Sequence, residues 1–255
     1  MKRILVISDI HGEIEKFEQL LEEAQYDARQ DQLILLGDYV DRGPNARAVI
    51  EKVKELKEAG ALVLKGNHED MMIKALTTDE ERSWNHWVKR NGGDKTLYSY
   101  GFVEEDIAVN EENFQKPILQ SHILEEHVTF IQELDHYIET EEYIFVHAGV
   151  EPMNRVSESE PYTLMWIRNE FHNGYSGEKV VVFGHTETKM LHGSENCGVY
   201  FGSNRIIGID GGAVYGGQLN CLELPSKKVY VVKNLRKSLY NKGSKFYIEQ
   251  NFRRK

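Results

Sequence analysis

The sequence predicts an α/β fold, mixed in the α+β sense, with a two-layered β core flanked by helices. Three observations lead to this prediction. Short apolar runs alternate with amphipathic helices through the first third of the chain. A polar and mostly helical region follows at about residues 69–140. Five more apolar runs come after it, and Pro-Ser-Lys at 225–227 separates the last two, which indicates an antiparallel hairpin.

Each element is assigned from apolar spacing and length. The first helix is predicted at 13–24, where apolar residues recur every three or four positions. A second helix is predicted at 46–60 and stops at Gly60, a common C-terminal signal. Strands separated by helices of this length pair in parallel through right-handed crossovers. The predicted strands are 3–8, 32–36, 61–65, 143–147, 179–183, 205–210, 219–224 and 228–232.

Composition indicates a globular protein rather than a membrane or disulfide-rich one. Of the 255 residues 40% are hydrophobic, and no apolar run approaches the ~20 residues that span a bilayer. The apolar run at 4–7, which follows two basic residues, is too short for the core of a signal peptide and is typical of a strand. Cys197 and Cys221 are too few for a disulfide framework and form no CxxC pattern. We therefore expect a cytoplasmic protein without membrane association.

Charge is distributed unevenly along the chain. The net charge is −10, but the residues from Lys227 onward include ten Lys or Arg and one acid, Glu249. Since the whole chain has 31 bases and 41 acids, residues 1–226 hold 21 and 40, a net charge of −19. An acidic body disfavours nucleic acid as a partner. We predict one domain over 1–255 with a helical insertion at about 69–140 and a basic C-terminal extension at about 233–255.

Five of the predicted strands end in polar side chains of kinds that bind metal ions or phosphate. Because the carboxyl ends of parallel strands lie along one edge of a sheet, we expect these side chains to meet in one crevice. A single motif of this kind is an ordinary turn, but five strand ends with the same chemistry favour a site. The residues are Asp9, His11, Asp38, Asp41, Arg42, Asn67, His68, Glu69, His147, His185 and Thr186.

The residue types predict a centre with two metal ions. Asp9 and His11 are two residues apart, so on an extended backbone both side chains point the same way. Asp38 has two carboxylate oxygens and can bridge two ions. Mixed oxygen and nitrogen ligands suit Mn²⁺, which we expect first, or Fe or Zn²⁺. Two ions ~3.5–4 Å apart would activate a shared water and hold a phosphoryl group. The predicted sets are Asp9, His11 and Asp38 for one ion, and Asp38, Asn67, His147 and His185 for the other.

Three further residues have roles in the same chemistry. His68 follows Asn67 and can protonate the leaving oxygen as a general acid. Asp41 lies either one helical turn from Asp38 or on the same tight loop, where it can orient that imidazole and raise its pKa. Arg42 can bind phosphate oxygens through two parallel hydrogen bonds, which lysine does less well.

The motifs that carry these residues resemble a known family. The chain is similar over about residues 1–225 to the phosphoprotein phosphatase branch of the calcineurin-like metallophosphoesterases, of the bacterial Ser/Thr phosphatase and diadenosine tetraphosphatase type. The resemblance implies a β-sandwich of mixed sheets with helices on both sides. It also implies the metal-ligand and general-acid positions named above. The motifs, in chain order, are SDIHG (8–12), GDYVDRG (37–43), GNHE (66–69), HAG (147–149) and GHT (184–186).

The resemblance extends to the second half of the chain. The segment LMWIRNEF (164–171) is similar to the W-x-R segment of the family and implies a second phosphate-binding arginine at Arg168. Tyr215 is implied to reach the site. The segment DGG at 210–212 departs from the family's usual DTG, and we expect it to lie far from the metal ligands. The implied substrate-binding residues are Arg42, Asn67, Arg168 and Tyr215.

The implied activity is hydrolysis of phosphomonoesters, first phosphoserine and phosphothreonine in proteins, by a hydroxide that bridges the two metals. The alternative is a bis(5′-nucleosyl)-tetraphosphatase, which uses the same metals. The expected partner is therefore a phosphorylated protein or a small phosphoester or nucleotide, and the pattern leaves the oligomeric state open. Two other classes are a catalytically inactive docking module, which predicts lost ligands, and nucleic-acid binding through the basic extension, which predicts salt-dependent retention on DNA.

Other conspicuous residues are interpreted as structural. Trp84 and Trp87 have i, i+3 spacing, which is more typical of a helix core than of a wall of a substrate groove. The remaining histidines have no ligand partners nearby in the sequence, so we expect surface or packing roles. They are His86, His122, His127, His136, His172 and His192.

Overall fold

Two five-stranded sheets form the centre of the protein. A computed structural model describes residues 3–110 and 112–233, so nearly all of the predicted basic extension lies outside the described residues. The first sheet has the order β10-β9-β1-β2-β3, and the second has the order β4-β5-β6-β8-β7. The strands are β1 (Arg3–Ile7), β2 (Asp31–Leu35), β3 (Leu62–Val63), β4 (Tyr137–Glu139), β5 (Tyr143–Val146), β6 (Val180–Phe183), β7 (Tyr200–Phe201), β8 (Ile206–Gly208), β9 (Gln218–Leu224) and β10 (Val229–Lys233).

Helices connect the strands and cover the sheets. A π-helical turn at Asn85–Arg90 interrupts the helical region, and 3-10 turns occur at Val156–Glu158 and Ala213–Tyr215. None of the helices in the described ranges is long and apolar enough to cross a membrane. The α-helices are α1 (Ile14–Glu23), α2 (Ala46–Glu58), α3 (Asn67–Thr77), α4 (Glu81–Trp84), α5 (Gly93–Ser99), α6 (Glu104–Ile107), α7 (His122–Gln132), α8 (Pro161–Trp166), α9 (Asn169–Gly174) and α10 (Thr188–His192).

The strand pairings confirm the predicted change from parallel to antiparallel order. β1 pairs in parallel with β2, so that Leu5 lies opposite Leu33, and β2 pairs in parallel with β3. β9 and β10 form the expected hairpin, and β9 lies antiparallel to β1. In the second sheet β5, β6 and β8 are parallel, with β4 and β7 antiparallel at its edges.

Side-chain alternation explains the layers. Val6 and Ile34 of the first sheet pack with Phe145 and Val182 of the second, in the interior between the sheets. The neighbouring residues of β1 face the other way, toward helices α1, α2 and α7. On the outer face of the second sheet, residues of β5 and β6 pack with Phe171 and other side chains of α8 and α9. Since successive side chains of a strand point to opposite faces, each sheet buries both of its faces. The predicted β-sandwich with helices on both sides is confirmed.

Element boundaries differ from the predictions where strands are short. The strand predicted at 61–65 is reduced to Leu62–Val63, with one further bridge at Leu64, because the chain turns from the edge of the sheet into α3. The region at about 69–140 holds α3 to α7, and it ends in β4, a three-residue edge strand that the sequence pattern does not indicate. The helix predicted at 46–60 begins as expected, since the Asn45 side chain accepts the backbone N–H of Ala48.

Candidate metal centre

The ends of the parallel strands meet at one polar cavity of about 170 Å³. The strands that supply its predicted residues are β1, β2, β3, β5 and β6, whose carboxyl ends lie at the same edge of the two sheets. The structure therefore brings together the residues that the sequence placed at five separate strand ends. The predicted site residues that line the cavity are Asp9, Asp38, Arg42, Asn67, His68, Arg168, His185 and Tyr215. His11, Asp41 and His147 contact members of this set from behind.

The loop after β1 does not have the predicted extended backbone. The φ angles of Asp9 and His11 are 55° and 45°, in the left-handed region that non-glycine residues seldom adopt. The two side chains reach the same site because the loop runs beside the loop after β2: the Asp9 amide donates to the Gly37 carbonyl at 3.1 Å, and the His11 amide donates to the Asp38 carbonyl at 2.9 Å. Backbone pairing between the two loops, rather than strand geometry, sets their positions.

The Glu69 carboxylate holds the loop after β2 in place. It accepts the backbone N–H groups of Asp38 at 2.8 Å, Tyr39 at 2.7 Å, Val40 at 3.2 Å and Gly66 at 2.9 Å. Gly66 lets the loops approach, since a Cβ there would lie 2.3 Å from Asp38 Oδ1. Glu69 was expected at the crevice without a role, and the structure shows it as the anchor of the Asp38 loop.

Asp38 lies between two groups of nitrogen ligands. Its Oδ1 is 3.4 Å from His147 Nε2, while its Oδ2 is 3.5 Å from His11 Nε2 and 4.0 Å from His68 Nε2. Each carboxylate oxygen thus faces a different group, as a bridging ligand requires. Among the described residues, His11, Asp38 and His68 form one set of ligand atoms within 4.8 Å of one another, and Asp38, His147 and His185 form another.

Hydrogen bonds at the Nδ1 atoms of His11 and His147 leave the Nε2 lone pairs directed toward Asp38. The Nδ1 of His11 lies 2.7 Å from the Val40 carbonyl, and the Nδ1 of His147 lies 3.0 Å from the Leu36 carbonyl. A carbonyl only accepts, so each Nδ1 carries the proton and each Nε2 presents a lone pair. Burial lowers the pKa of His11 well below its usual value and that of His147 to about 3, which keeps both rings neutral. Neutral imidazoles of this tautomer are metal ligands.

The second ligand set converges on Asn67. Its Oδ1 lies 2.9 Å from His147 Nε2 and 2.8 Å from His185 Nδ1. Since His147 Nε2 and the amide oxygen both present lone pairs, their approach is unfavourable until a cation lies between them. His185 Nε2 is also buried and has no hydrogen-bond partner in the described part of the chain. The amide oxygen and the two imidazoles therefore suit a divalent ion that accepts oxygen and nitrogen ligands.

Buried negative charge gives a second reason for metal binding. Burial raises the pKa of Asp38 well above its usual value, and the charge of Asp9 raises it further. Burial likewise raises the pKa of Asp9, and the charge of Asp210 adds to this effect. Carboxylates that repel one another in a buried site favour cations that remove the repulsion. The residues present fit two divalent ions on both grounds.

Asp9 and Asp210 both line the cavity, but their contacts differ from those expected. Asp9 lines the cavity, but its two oxygens accept the backbone N–H of His185 at 3.1 and 3.0 Å, and neither ligand set within 4.8 Å includes it. The expectation that the segment at 210–212 lies far from the metal ligands is wrong. Asp210 lines the same cavity, and burial raises its pKa to about 6. The turn after β8 brings it there, where its Oδ1 accepts the Gly212 amide at 2.8 Å.

His68 and Asp41 form a buried hydrogen-bonded pair. His68 Nδ1 lies 2.6 Å from Asp41 Oδ2, and the ring directs Nε2 toward Asp38. Asp41 occurs on the tight loop after Asp38, which resolves the two positions that the sequence left open. Burial raises the pKa of Asp41 to about 8, although hydrogen bonds from Thr96 and Trp87 oppose this. Burial lowers the pKa of His68 well below its usual value, and the nearby charge of Arg42 lowers it further, so the rise expected from Asp41 is not observed.

Two arginines border the cavity. Arg42 Nη1 lies 2.8 Å from His11 Nε2, and its guanidinium carbon is 5.2 Å from the centre of the Tyr215 ring. Arg168 Nη1 donates to Thr186 Oγ1 at 2.9 Å and to the His185 carbonyl at 3.3 Å. Both guanidinium groups therefore lie beside candidate metal ligands. An anionic substrate that enters the cavity would contact these guanidinium groups.

Several residues of the site did not follow from the sequence pattern. Most of them come from helices and turns whose distance from the site only the fold determines, although Trp166 and Asp210 belong to the segments at 164–171 and 210–212. Trp87 and Thr96 contact Asp41 from behind, and Trp87 is also buried in the apolar core, as expected. The residues that line the cavity itself are Asn91, Trp166, Glu187, Met190 and Asp210.

Fold and site together define a metallophosphoesterase, a hydrolase that cleaves phosphate esters with bound metal ions. The chain matches the model of the calcineurin-like phosphoesterases over residues 2–220 and belongs to that family. The predicted family and the prediction of an enzyme are therefore confirmed.

Relatives with two different names resemble the chain over most of its length. It is 28% identical to serine/threonine-protein phosphatase 1 of Salmonella typhimurium over 223 residues, which cover 86% of this chain and 90% of that protein. It is 22% identical to an asymmetrical bis(5′-nucleosyl)-tetraphosphatase of Oceanobacillus iheyensis, covering 96% and 98%. A solved structure of a candidate diadenosine tetraphosphatase superimposes with a TM-score of 0.65 at 21% identity, covering 91% and 93%, and supports the fold.

Proposed function

We propose that the protein hydrolyses phosphomonoesters, with phosphoserine and phosphothreonine of proteins as its substrates. The observation that carries this proposal is the position of Asp38 between two sets of neutral imidazoles, beside the His68–Asp41 pair. The cavity of about 170 Å³ is far smaller than the roughly 300–1,000 Å³ pockets of drug-sized ligands. A phosphoryl group and its ester oxygen enter such a cavity, and the rest of the substrate lies on the surface, as a peptide chain does.

Divalent ions would supply one part of the chemistry. Two such cations held by the predicted ligands would lower the pKa of water and neutralise phosphoryl charge. Mn²⁺ is the ion proposed, because carboxylate, amide and imidazole ligands without thiolate suit it. A cytoplasmic location belongs to the same proposal and is supported by the two cysteines that form no disulfide framework.

The side chains of the protein orient the substrate and move a proton. Arg42 and Arg168 border the cavity with guanidinium groups that can each hold two phosphoryl oxygens. The imidazole of His68, when protonated, keeps one N–H directed at Asp41 and presents Nε2–H toward the cavity. A water-derived oxygen bonds to phosphorus as the phosphorus–oxygen ester bond breaks. The proton of His68 passes to the leaving oxygen, so the serine or threonine leaves as an alcohol and the phosphoryl group as phosphate. Asp41 in its ionised form stabilises the charged imidazole before the transfer.

A dinucleoside polyphosphate is the second candidate substrate, and apolar side chains at the mouth of the cavity favour it. Tyr162 is 64% exposed and stacks on Trp166, with ring centres 5.9 Å apart and planes at 22°. Trp166 lines the cavity, as do the exposed side chains of Met190 and Tyr215. A purine base outside the phosphate site can stack on such rings, which contributes about 1–3 kcal/mol per base.

The test compares a phosphoserine peptide with diadenosine tetraphosphate on Mn²⁺-loaded protein. We expect hydrolysis of p-nitrophenyl phosphate that requires Mn²⁺ and stops with EDTA, and a higher kcat/KM for the peptide. Tyr162→Ala distinguishes the candidates, because it raises KM for diadenosine tetraphosphate about tenfold only if a base stacks there. Phe201→Ala, an exposed aromatic residue on edge strand β7, is the matched control. A metal-loaded protein that hydrolyses none of the three phosphate compounds would contradict the proposal.

A further inference from the structure

The carboxylate of Asp41 is held from the side opposite His68 by the helical region. Trp87 Nε1 donates to Asp41 Oδ1 at 2.9 Å and to Oδ2 at 3.0 Å. Thr96 Oγ1 donates to Oδ1 at 2.7 Å and accepts the backbone N–H of Asp41 at 2.8 Å. All three side chains are fully buried. These contacts leave the Oδ2 of Asp41 as the oxygen that meets His68 Nδ1, at 2.6 Å.

Local backbone features place these two residues against the loop. Trp87 lies in the π-helical turn Asn85–Arg90, a rare form that occurs frequently at functional sites. The indole approaches the start of α5 closely, since a Cβ on Gly93 would lie 2.6 Å from its ring atoms. The carbonyl of Gly92 accepts the backbone N–H of Arg42 at 3.2 Å. The helical region therefore contacts the loop after β2, at Asp41 and Arg42, through both backbone and side-chain atoms.

We propose that Trp87 and Thr96 are positioning residues for the general acid, an inference that rests on the proposed phosphoester hydrolysis. A carboxylate has about four acceptor positions and rotates about its terminal bond. The two donors occupy positions on Asp41 that fix this rotation, so that Oδ2 points at His68 Nδ1. The fixed hydrogen bond then orients the imidazole, and Nε2 faces the cavity. Neither Trp87 nor Thr96 lines the cavity or touches a candidate metal ligand through a described hydrogen bond.

Trp84 provides a matched control within the same cluster. It is also buried, its ring centre is 6.4 Å from that of Trp87, and the two planes meet at 82°. Its Nε1 has no hydrogen-bond partner among the described residues. Trp84→Phe and Trp87→Phe therefore remove the same atoms from neighbouring buried positions, but only the second removes a donor to Asp41.

The experiment measures how strongly the rate depends on the leaving group. A general acid matters most for alkoxide leaving groups, which are strong bases, and least for p-nitrophenolate, which leaves without a proton. We expect Trp87→Phe to lower kcat for a phosphoserine peptide about tenfold or more, and kcat for p-nitrophenyl phosphate much less. Bound Mn²⁺ per protein should stay at the wild-type value. Trp84→Phe should lower the two rates by one common factor.

Thr96 offers an independent pair of variants in case a tryptophan variant fails to fold. Thr96→Val keeps the shape but removes the hydroxyl group, and we expect it to reproduce the leaving-group dependence of Trp87→Phe. Thr96→Ser keeps the hydroxyl group and should restore at least half of the wild-type rate for the peptide. Equal losses for both substrates in Trp87→Phe and Thr96→Val would mean that the residues only stabilise the fold, and would overturn the inference. An inactive metal-loaded wild type would instead remove the proposed function, and the inference with it.

Discussion

The loops at the strand ends and the helical segment at 85–99 both build the site, but by different physical means. The strand-end loops supply groups that face the cavity, and they do so from left-handed backbone at Asp9, Asp38 and His185. The helical segment supplies Trp87 and Thr96, which face Asp41 from behind. The side chains that face the cavity thus come from short loops between strands, whereas Asp41, the partner of the proposed general acid His68, is held by packing from a distant part of the chain.

The two regions also differ in how they are stabilised. Left-handed backbone at non-glycine residues costs about 1–3 kcal/mol each, and the loops that contain it are held by hydrogen bonds between buried groups, chiefly those of Glu69. The helical segment has fewer residues in left-handed backbone and is held by apolar contacts of Trp87, Val88 and Leu97. Substitutions in the loops should therefore affect metal binding and chemistry, and those in the helical segment should affect orientation and stability.

The largest effect is expected from Asp38→Asn in the strand-end region. The amide has one acceptor oxygen instead of two, so it cannot face both ligand sets as Asp38 does. We expect the loss of at least one bound Mn²⁺ per protein and a fall in turnover of about 10³-fold or more, on the order of 4 kcal/mol. Metal content by atomic emission and hydrolysis of p-nitrophenyl phosphate check this. Asp79→Asn, at a 92% exposed side chain, is the control, and unchanged metal content in Asp38→Asn would contradict the bridging role.

A smaller effect is expected from Gly92→Ala in the helical segment. Gly92 has a φ of 84°, and an added Cβ would lie 2.7 Å from the Arg42 backbone nitrogen. Gly101→Ala is a matched control, since Gly101 has a φ of 95° with nothing within 4 Å of the added Cβ. Both variants should lose about 1 kcal/mol of unfolding free energy from the backbone, and Gly92→Ala should lose about 1–3 kcal/mol more. Its KM for p-nitrophenyl phosphate should also rise, because Arg42 is displaced. Equal losses of unfolding free energy for Gly92→Ala and Gly101→Ala in urea would show that close packing of Gly92 against Arg42 does not matter for stability.

The smallest effect concerns pH and a histidine of the helical region far from the metal ligands. His127 is buried, its Nδ1 lies 2.7 Å from the Tyr100 hydroxyl, and burial lowers its pKa from 6.5 to about 4. Between these values the unfolded chain binds a proton that the folded protein excludes, so the free energy of unfolding falls as pH decreases from 6.5 toward 4.

His127→Gln removes this proton uptake. Between pH 7 and pH 5 the wild type should lose about 1–2 kcal/mol more unfolding free energy than the variant, measured by urea denaturation. His122→Gln, at an exposed position on the same helix, should keep the wild-type dependence. Parallel pH profiles for wild type and His127→Gln would show that the proton uptake occurs elsewhere.

The sequence by itself determined the change from parallel to antiparallel pairing and the residues that the strand ends bring to the cavity. The strands that carry them have strong apolar patterns, and parallel pairing brings strand ends to one edge whatever the details of the loops. Asp38, His68 and His147 could be assigned to one site on these grounds alone. Polar residues that directly follow a buried parallel strand lie at the carboxyl edge of the sheet, where the other strand ends also lie.

Tertiary structure alone decided the left-handed loops, the anchor at Glu69 and the contact of Trp87 and Thr96 with Asp41. It also brought Asp210 into the cavity, against expectation. The physical reason is that these features arise between segments tens of residues apart, where a π-helical turn or one close backbone approach sets the contact. Apolar periodicity reports which face of a helix is buried, but it does not report which polar atom that face will meet.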